Sequence, residues 1–243
     1  MIEAMKGIKG MAGVLGATIL LASCNSSNTL KGSLIGAGGG TALGAGIGAL
    51  IGKATGNAGK GAAIGAAVGV AAGTTAGALI GRKMDKAKAA AAASLADAQV
   101  ETTKDANGLD AVKVTLENGI LFAVGKYTLQ PAAQASLKKF ASEVLKVYTD
   151  CDVSIQGFAS SDGSDATNLT LSQNRANAVR TYLVNTCNVN AAQIVSTVGF
   201  GEDPAYLIMG ADGKEDREAS RRVEIYLYAS QAMIDAANNG TLE

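Results

Sequence analysis

The sequence predicts an α+β fold for its carboxy-terminal half. The expected form is a βαβαββ mixed sheet with helices on one face, preceded by a glycine-zipper helical hairpin. Three observations predict it. Residues 112–124, 153–157, 194–200 and 222–228 read as short strands, the first with Val112, Val114 and Leu116 alternating ahead of an Asn118-Gly119 turn. Between them, residues 131–147 and about 165–185 carry their apolar residues at helical spacing. Upstream, eleven glycines recur at every fourth position in two runs, Gly36 to Gly52 and Gly61 to Gly81.

Residues 1–23 read as a lipoprotein signal peptide. Lys6 and Lys9 give a short basic start, and residues 11–22 are a mostly apolar run too short to span a bilayer comfortably. The run ends in Leu21-Ala22-Ser23-Cys24. This ending resembles the lipobox of bacterial lipoproteins, in which the chain is cut before the Cys and the Cys is acylated, with palmitate for example. An ordinary signal peptide with a chance Cys is the alternative. The resemblance makes Cys24 the lipidation site and residues 24–33 an acylated tether, with membrane lipid as a partner. Asn25 follows in place of the Asp that such lipoproteins use for retention in the inner membrane, so the expected location is the outer membrane, with the globular part in the periplasm.

Residues 34–81 are expected to form a membrane hairpin. Glycine in a soluble helix costs about 1 kcal/mol relative to Ala, so a glycine at every fourth position needs a compensating gain. A bilayer supplies one: the backbone must satisfy its own hydrogen bonds there, and small residues four apart let two helices approach closely. Residues 34–52 and 61–81 would give roughly 28–32 Å of helix, about the hydrocarbon thickness. Residues 53–60 are polar and turn-like, and Lys31, Lys53, Lys60, Arg82 and Lys83 bracket the spans. A flexible Gly/Ala linker is the alternative, and the helices could pair within one chain or between chains, as a homo-oligomer. Residues 82–109 then read as an Ala-rich helical spacer, and residues 230–243 as a polar tail with one frayed helix.

Within residues 110–229, Pro131 opens a helix whose Leu137, Phe140, Val144 and Val147 share a face. The next helix places Asn168, Ser172, Arg175, Val179 and Tyr182 on one side, and Ala176, Val179 and Leu183 make that side the buried one. A core-facing Arg needs an anionic partner or a polar cleft, because an unpaired buried charge costs several kcal/mol. Either Arg175 snorkels to the rim or pairs with an internal acid, or Asn168, Ser172 and Arg175 wall an anion-binding cleft at the start of the helix. Cys151 before the second strand and Cys187 past the helix fall at the same end of the layer. In an oxidising compartment they are expected to form a disulfide, which would contribute about 3–4 kcal/mol.

Asn168, the run Leu171-Ser172-x-x-Arg175-Ala176, Gly199-Phe200-Gly201-Glu202 with Pro204, and Ser220-Arg221-Arg222-Val223-Glu224-Ile225 together resemble the peptidoglycan-binding domain of the outer-membrane protein A family. The same domain occurs in peptidoglycan-associated lipoproteins. The resemblance covers about residues 110–229, with Phe122, Leu129 and Pro131 fitting the first strand and turn. It implies that Arg175 holds the diaminopimelate of a peptide stem. The Asp that shares this task in the family aligns with Ser160, and the Asn of its final NRRV run with Ser220, so the chain departs from the pattern twice. Asp162 stands near enough to replace the missing carboxylate, Asn168 and Ser160 would add hydrogen bonds, and Arg221 or Arg222 would supply a second positive charge.

Composition narrows the alternatives. The chain has 243 residues and no His, which excludes Ser-His-Asp and Cys-His mechanisms and most zinc sites; no catalytic residue, metal or cofactor is expected. Residues 1–103 carry nine Lys/Arg against four Asp/Glu, and residues 104–243 carry twelve against seventeen. The basic half suits a membrane surface, and the acidic half is a poor nucleic-acid binder. The expected function is an outer-membrane lipoprotein that binds the peptidoglycan stem non-covalently and anchors the membrane to the wall. A membrane scaffold or pore built by the zipper, with weak or retargeted wall binding, is the runner-up. A motor subunit lacks the ionisable group that a proton path would need inside residues 34–52 or 61–81, and a wall hydrolase lacks a recognisable carboxylate pair.

Overall fold

The computed structural model describes residues 74–105 and 108–242. The signal peptide, Cys24 and residues 34–73 of the expected hairpin lie outside the described residues.

The alternating apolar residues form a five-stranded sheet of β1 (Gln99–Lys104), β2 (Asp110–Glu117), β3 (Cys151–Gly157), β4 (Ile194–Gly199) and β5 (Arg222–Ala229), in the order β1-β2-β5-β3-β4. β3 and β4 are parallel, and the other neighbours are antiparallel. The longer helices among the described residues are α1 (Thr75–Ser94), α2 (Pro131–Phe140), α3 (Asp165–Thr181) and α4 (Gln231–Asn238), beside single turns at Asn118–Leu121 and Arg217–Ser220. Single π-helical turns, Ala141–Leu145 and Tyr182–Thr186, extend α2 and α3. One face of the sheet, with Val112, Val114, Ile155, Ile225 and Leu227, packs against Leu137, Phe140, Val179 and Leu183 of the helical layer. The expected mixed α+β sheet is therefore present, and β1 is one strand more than the sequence suggested. β5 lies at the centre and all eight of its residues are buried. Its other face joins Tyr226 and Tyr228 to Phe158, Val198 and Phe200.

The upstream boundary differs from the expectation. Thr74 caps α1, its side chain accepting from the Gly77 amide at 3.2 Å. The helix thus starts inside what reads as the second membrane span. Ala76, Ile80, Met84, Ala87 and Ala91, three and four residues apart, are all buried in the main core. Residues 75–94 are a core helix, not a membrane segment followed by a free spacer, and residues 99–104 of that spacer are an edge strand. The physical reason is a narrow stripe: two large apolar residues and several alanines suffice where small side chains let a helix sit close to a sheet. No helix among the described residues is long and apolar enough to cross a membrane.

The carboxy-terminal end is also built in. Ser230 caps α4, and Met233, Ile234 and Ala237 bury the face that packs on α1, so residues 230–238 are not a frayed tail. Cys151 and Cys187 are two separate buried thiols and form no disulfide. Their charged neighbours differ: Asp150, Lys83 and Asp152 surround Cys151, whereas Lys146 and Lys138 are nearest Cys187. Burial raises the pKa of both, so both stay protonated and inert at neutral pH.

Candidate anion-binding cleft

The cleft lies where α3 begins, over the ends of β3 and β4. Ser164 caps the helix and accepts from the Thr167 amide, and Asp165 complements the dipole in the first turn. Gly157 and Gly199 end the two strands beneath. A Cβ on Gly157 would overlap the Ser172 carbonyl, and one on Gly199 would overlap the Gln173 backbone. Glycine is thus required here because two backbones touch. Ser172 fastens the helix from the other side: its hydroxyl accepts from the Gly201 amide at 2.9 Å and donates to the Leu169 carbonyl.

Four of the expected site residues come together. The Asn168 amide group donates to the carbonyls of Ser160 (3.1 Å) and Asp162 (2.9 Å) and to the Glu202 carboxylate. The Ser160 hydroxyl donates to Asp162 at 3.2 Å, and Arg221 reaches both, at 3.4 and 3.3 Å. Arg217 takes the second Asp162 oxygen at 3.0 Å. Both ion pairs of Asp162 are substantially exposed, so each is worth at most about 1 kcal/mol. Asp162 thus stands against Ser160, where the resemblance calls for a carboxylate. Glu215 accepts from the Ser161 amide and hydroxyl and ties the 202–218 segment to this loop.

Arg175 is 2% exposed, the largest of the fully buried side chains. Its Nε donates to the Lys126 carbonyl at 3.1 Å, and its guanidinium lies 5.5 Å from the centre of the Phe122 ring. Nη1 is buried without a hydrogen-bond partner. Among the described residues no carboxylate pairs with it. Burial, and then the nearby positive charge of Arg221, lower its pKa to about 10. A guanidinium held this way stays charged at neutral pH and favours an anion.

Two expected residues do not line this cleft. Ser172 is fully buried and spends its hydroxyl on the fold. Arg222 points to the other face of the sheet, 4.1 Å over the Phe158 ring, paired with Glu224 at 2.7 Å and donating to the carbonyls of Tyr206 and Ser220. Sequence reasoning missed the Lys126 carbonyl, Glu202, Glu215 and Arg217 as parts of the cleft. All four sit in loops or short turns, where no period marks a side; only Glu202 had a signal, in the Gly-Phe-Gly-Glu run.

Comparison with known proteins agrees with this architecture. Residues 121–221 match the OmpA family, and residues 39–88 match a glycine zipper. Outer membrane protein P5 of Haemophilus influenzae is 35% identical over 127 residues, 52% of this chain and 34% of that protein. Outer membrane porin F of Pseudomonas aeruginosa is 35% identical over 130 residues, 53% of this chain and 36% of that protein. A protein of Escherichia coli named "Probable lipoprotein YiaD" is 36% identical over 118 residues, 49% of this chain and 52% of that protein. The chain therefore spans about a third of the length of the first two and about half of the third. Among solved structures, a MotB-like protein from Desulfovibrio vulgaris shares the fold, with a TM-score of 0.50 and 19% identity over 64% of this chain and 97% of that one. With the strand order and these matches together, residues 121–221 form an OmpA-family domain, and a match to a glycine zipper precedes them in the chain.

Proposed function

We propose that this chain holds an outer membrane to the cell wall by gripping, without a covalent bond, the diaminopimelate of a peptidoglycan stem in the Arg175 cleft. The observation that carries the reading is the buried guanidinium with Nη1 unbonded and, among the described residues, no acid paired with it. A fold does not keep such a charge for stability, and a ligand carboxylate would satisfy it. Asp162, with Ser160 and Asn168 behind it, faces the ammonium group of the same amino acid, and its exposed ion pairs to Arg217 and Arg221 are weak enough to yield. Matches to proteins named for the outer membrane, and to one named as a lipoprotein, support the location and the acylation of Cys24. The domain acts here as a binder and not as an enzyme.

A pull-down on purified sacculi tests the reading, with circular dichroism as the folding control. Removing one partner of a desolvated charge pair costs about 2–5 kcal/mol, roughly a 30-fold to several-thousand-fold loss of affinity. Arg175→Ala should lose the wall, whereas Arg180→Ala, on the same helix and outside the cleft, should bind nearly as the parent does. Undiminished binding by a folded Arg175→Ala protein would refute the cleft. Equal losses at Arg175 and Arg180 would indicate nonspecific charge attraction, which salt should then abolish.

A further inference from the structure

Beside the cleft, α3 carries a second feature that stem binding does not use. Thr170, Asn174, Asn177, Thr181 and Asn185 fall at steps of four, three, four and four along the helix and its π-helical extension. They form one stripe about 22 Å long. The stripe borders two adjoining hollows of about 490 and 560 Å³, and Tyr127 and Asn174 line both. These volumes fall in the range of ligand sites, roughly 300–1,000 Å³. No Lys, Arg, Asp or Glu lines either hollow. Tyr127 stands 53% exposed beside the stripe.

We propose that this groove is a subsite for the neutral, polyhydroxylated glycan strand that carries the peptide stems. The inference rests on the wall-binding reading above and adds the sugar backbone to it. Three features select this occupant. A carboxamide or hydroxyl both donates and accepts, which is what a sugar hydroxyl requires of its partner. An exposed tyrosine offers a flat apolar face with a polar tip, suited to a ring that is itself apolar on its faces and polar at its edge. The lack of charge in the lining gives nothing to a nucleic acid, an anionic lipid or a charged peptide, and a polar stripe gives little to an amphipathic helix. Position supports the same choice. Arg175 follows Asn174 directly and bonds the carbonyl of Lys126, the neighbour of Tyr127. Stem and glycan are one covalent ligand, so binding the stem at Arg175 raises the effective concentration of sugar at the groove.

The test uses the full-length protein with two separate probes: glycan strands stripped of their stems by an amidase and then methyl-amidated at the lactyl carboxylates that the cleavage frees, so that they stay neutral, and a free stem peptide containing diaminopimelate. The parent and Arg175→Ala should both retain the stripped strands. Asn177→Ala/Thr181→Ala, at two exposed positions, and separately Tyr127→Ala should bind the strands about ten-fold more weakly while holding the stem peptide as the parent does. The subsite is overturned if the parent fails to retain stripped strands under conditions in which it retains whole sacculi, or if both groove variants hold the strands as well as the parent. A change in self-association in the groove variants without a change in strand binding would likewise overturn it and assign the groove to a second copy. Loss of the stem peptide in Arg175→Ala bears on the cleft alone, so failure of either site is distinguishable from failure of the other.

Discussion

On the proposed function, replacing Arg175 with Met should abolish sacculus binding while leaving the domain as stable as before, or more stable by up to about 1–4 kcal/mol. The long apolar side chain keeps the packing on Phe122 and removes a charge that the fold does not pair. Thermal denaturation without ligand checks the first half and sacculus binding the second; a Met variant that melts far below the parent would show that the charge serves the fold. The lowered pKa sets a pH window. With a value of about 10 the guanidinium is charged throughout the neutral range, so anion binding should be flat there and fall as the pH rises through about 10. Stability moves the other way. A base whose folded pKa lies below its unfolded value carries its full burial penalty below that window, and the penalty eases as pH rises through it. Much of this was legible beforehand: helix phase alone put Asn168, Ser172 and Arg175 on one side, and the family resemblance marked Ser160. It could not show that the Ser172 hydroxyl is spent on Gly201, nor that Arg222 turns to the opposite face, because such facts depend on which strands meet.

The element that sequence reasoning misread is α1. The last glycines of the repeat, Gly77 and Gly81, suggested the end of a membrane span and the alanines after them a helical spacer, yet Ile80 and Met84 are fully buried against β1, β2 and α4. Met84→Ala should therefore cost about 2–5 kcal/mol in a denaturant titration; a loss under about 0.5 kcal/mol, the range of surface changes, would restore the spacer. The stripe Ala76, Ile80, Met84, Ala87, Ala91 has helical period, but alanine is ambiguous in that pattern, since it fits a core as well as a solvated helix. β1 escaped for a related reason. Gln99–Lys104 is mostly polar, and an edge strand needs few apolar residues when its partner supplies the backbone pairing. α2, α3 and the other four strands were legible because each carries an apolar face of ordinary width.

For the molecule as a whole, the two unbonded thiols predict that reductant leaves the thermal transition unchanged. A drop in melting temperature on adding dithiothreitol, equivalent to about 3–4 kcal/mol, would indicate a cross-link instead. Cys151 and Cys187 do share one end of the layer, as the sequence suggested. What the sequence could not show is how the side chains are distributed there, with one thiol near the Lys83–Asp150 pair and the other beside the end of α2.

The strand order β1-β2-β5-β3-β4 has a mechanical meaning. The chain enters the domain through α1, which lies over β1 and β2, while the cleft belongs to α3, which lies over β3 and β4. A protein tethered at its beginning and holding a ligand at Arg175 would be pulled from opposite edges of one sheet. Within the sheet, tension between the two points crosses β5, whose ladders to β2 and β3 are the middle links of that path. Under stretch, the strand buried most completely is the one that keeps the two anchorages joined.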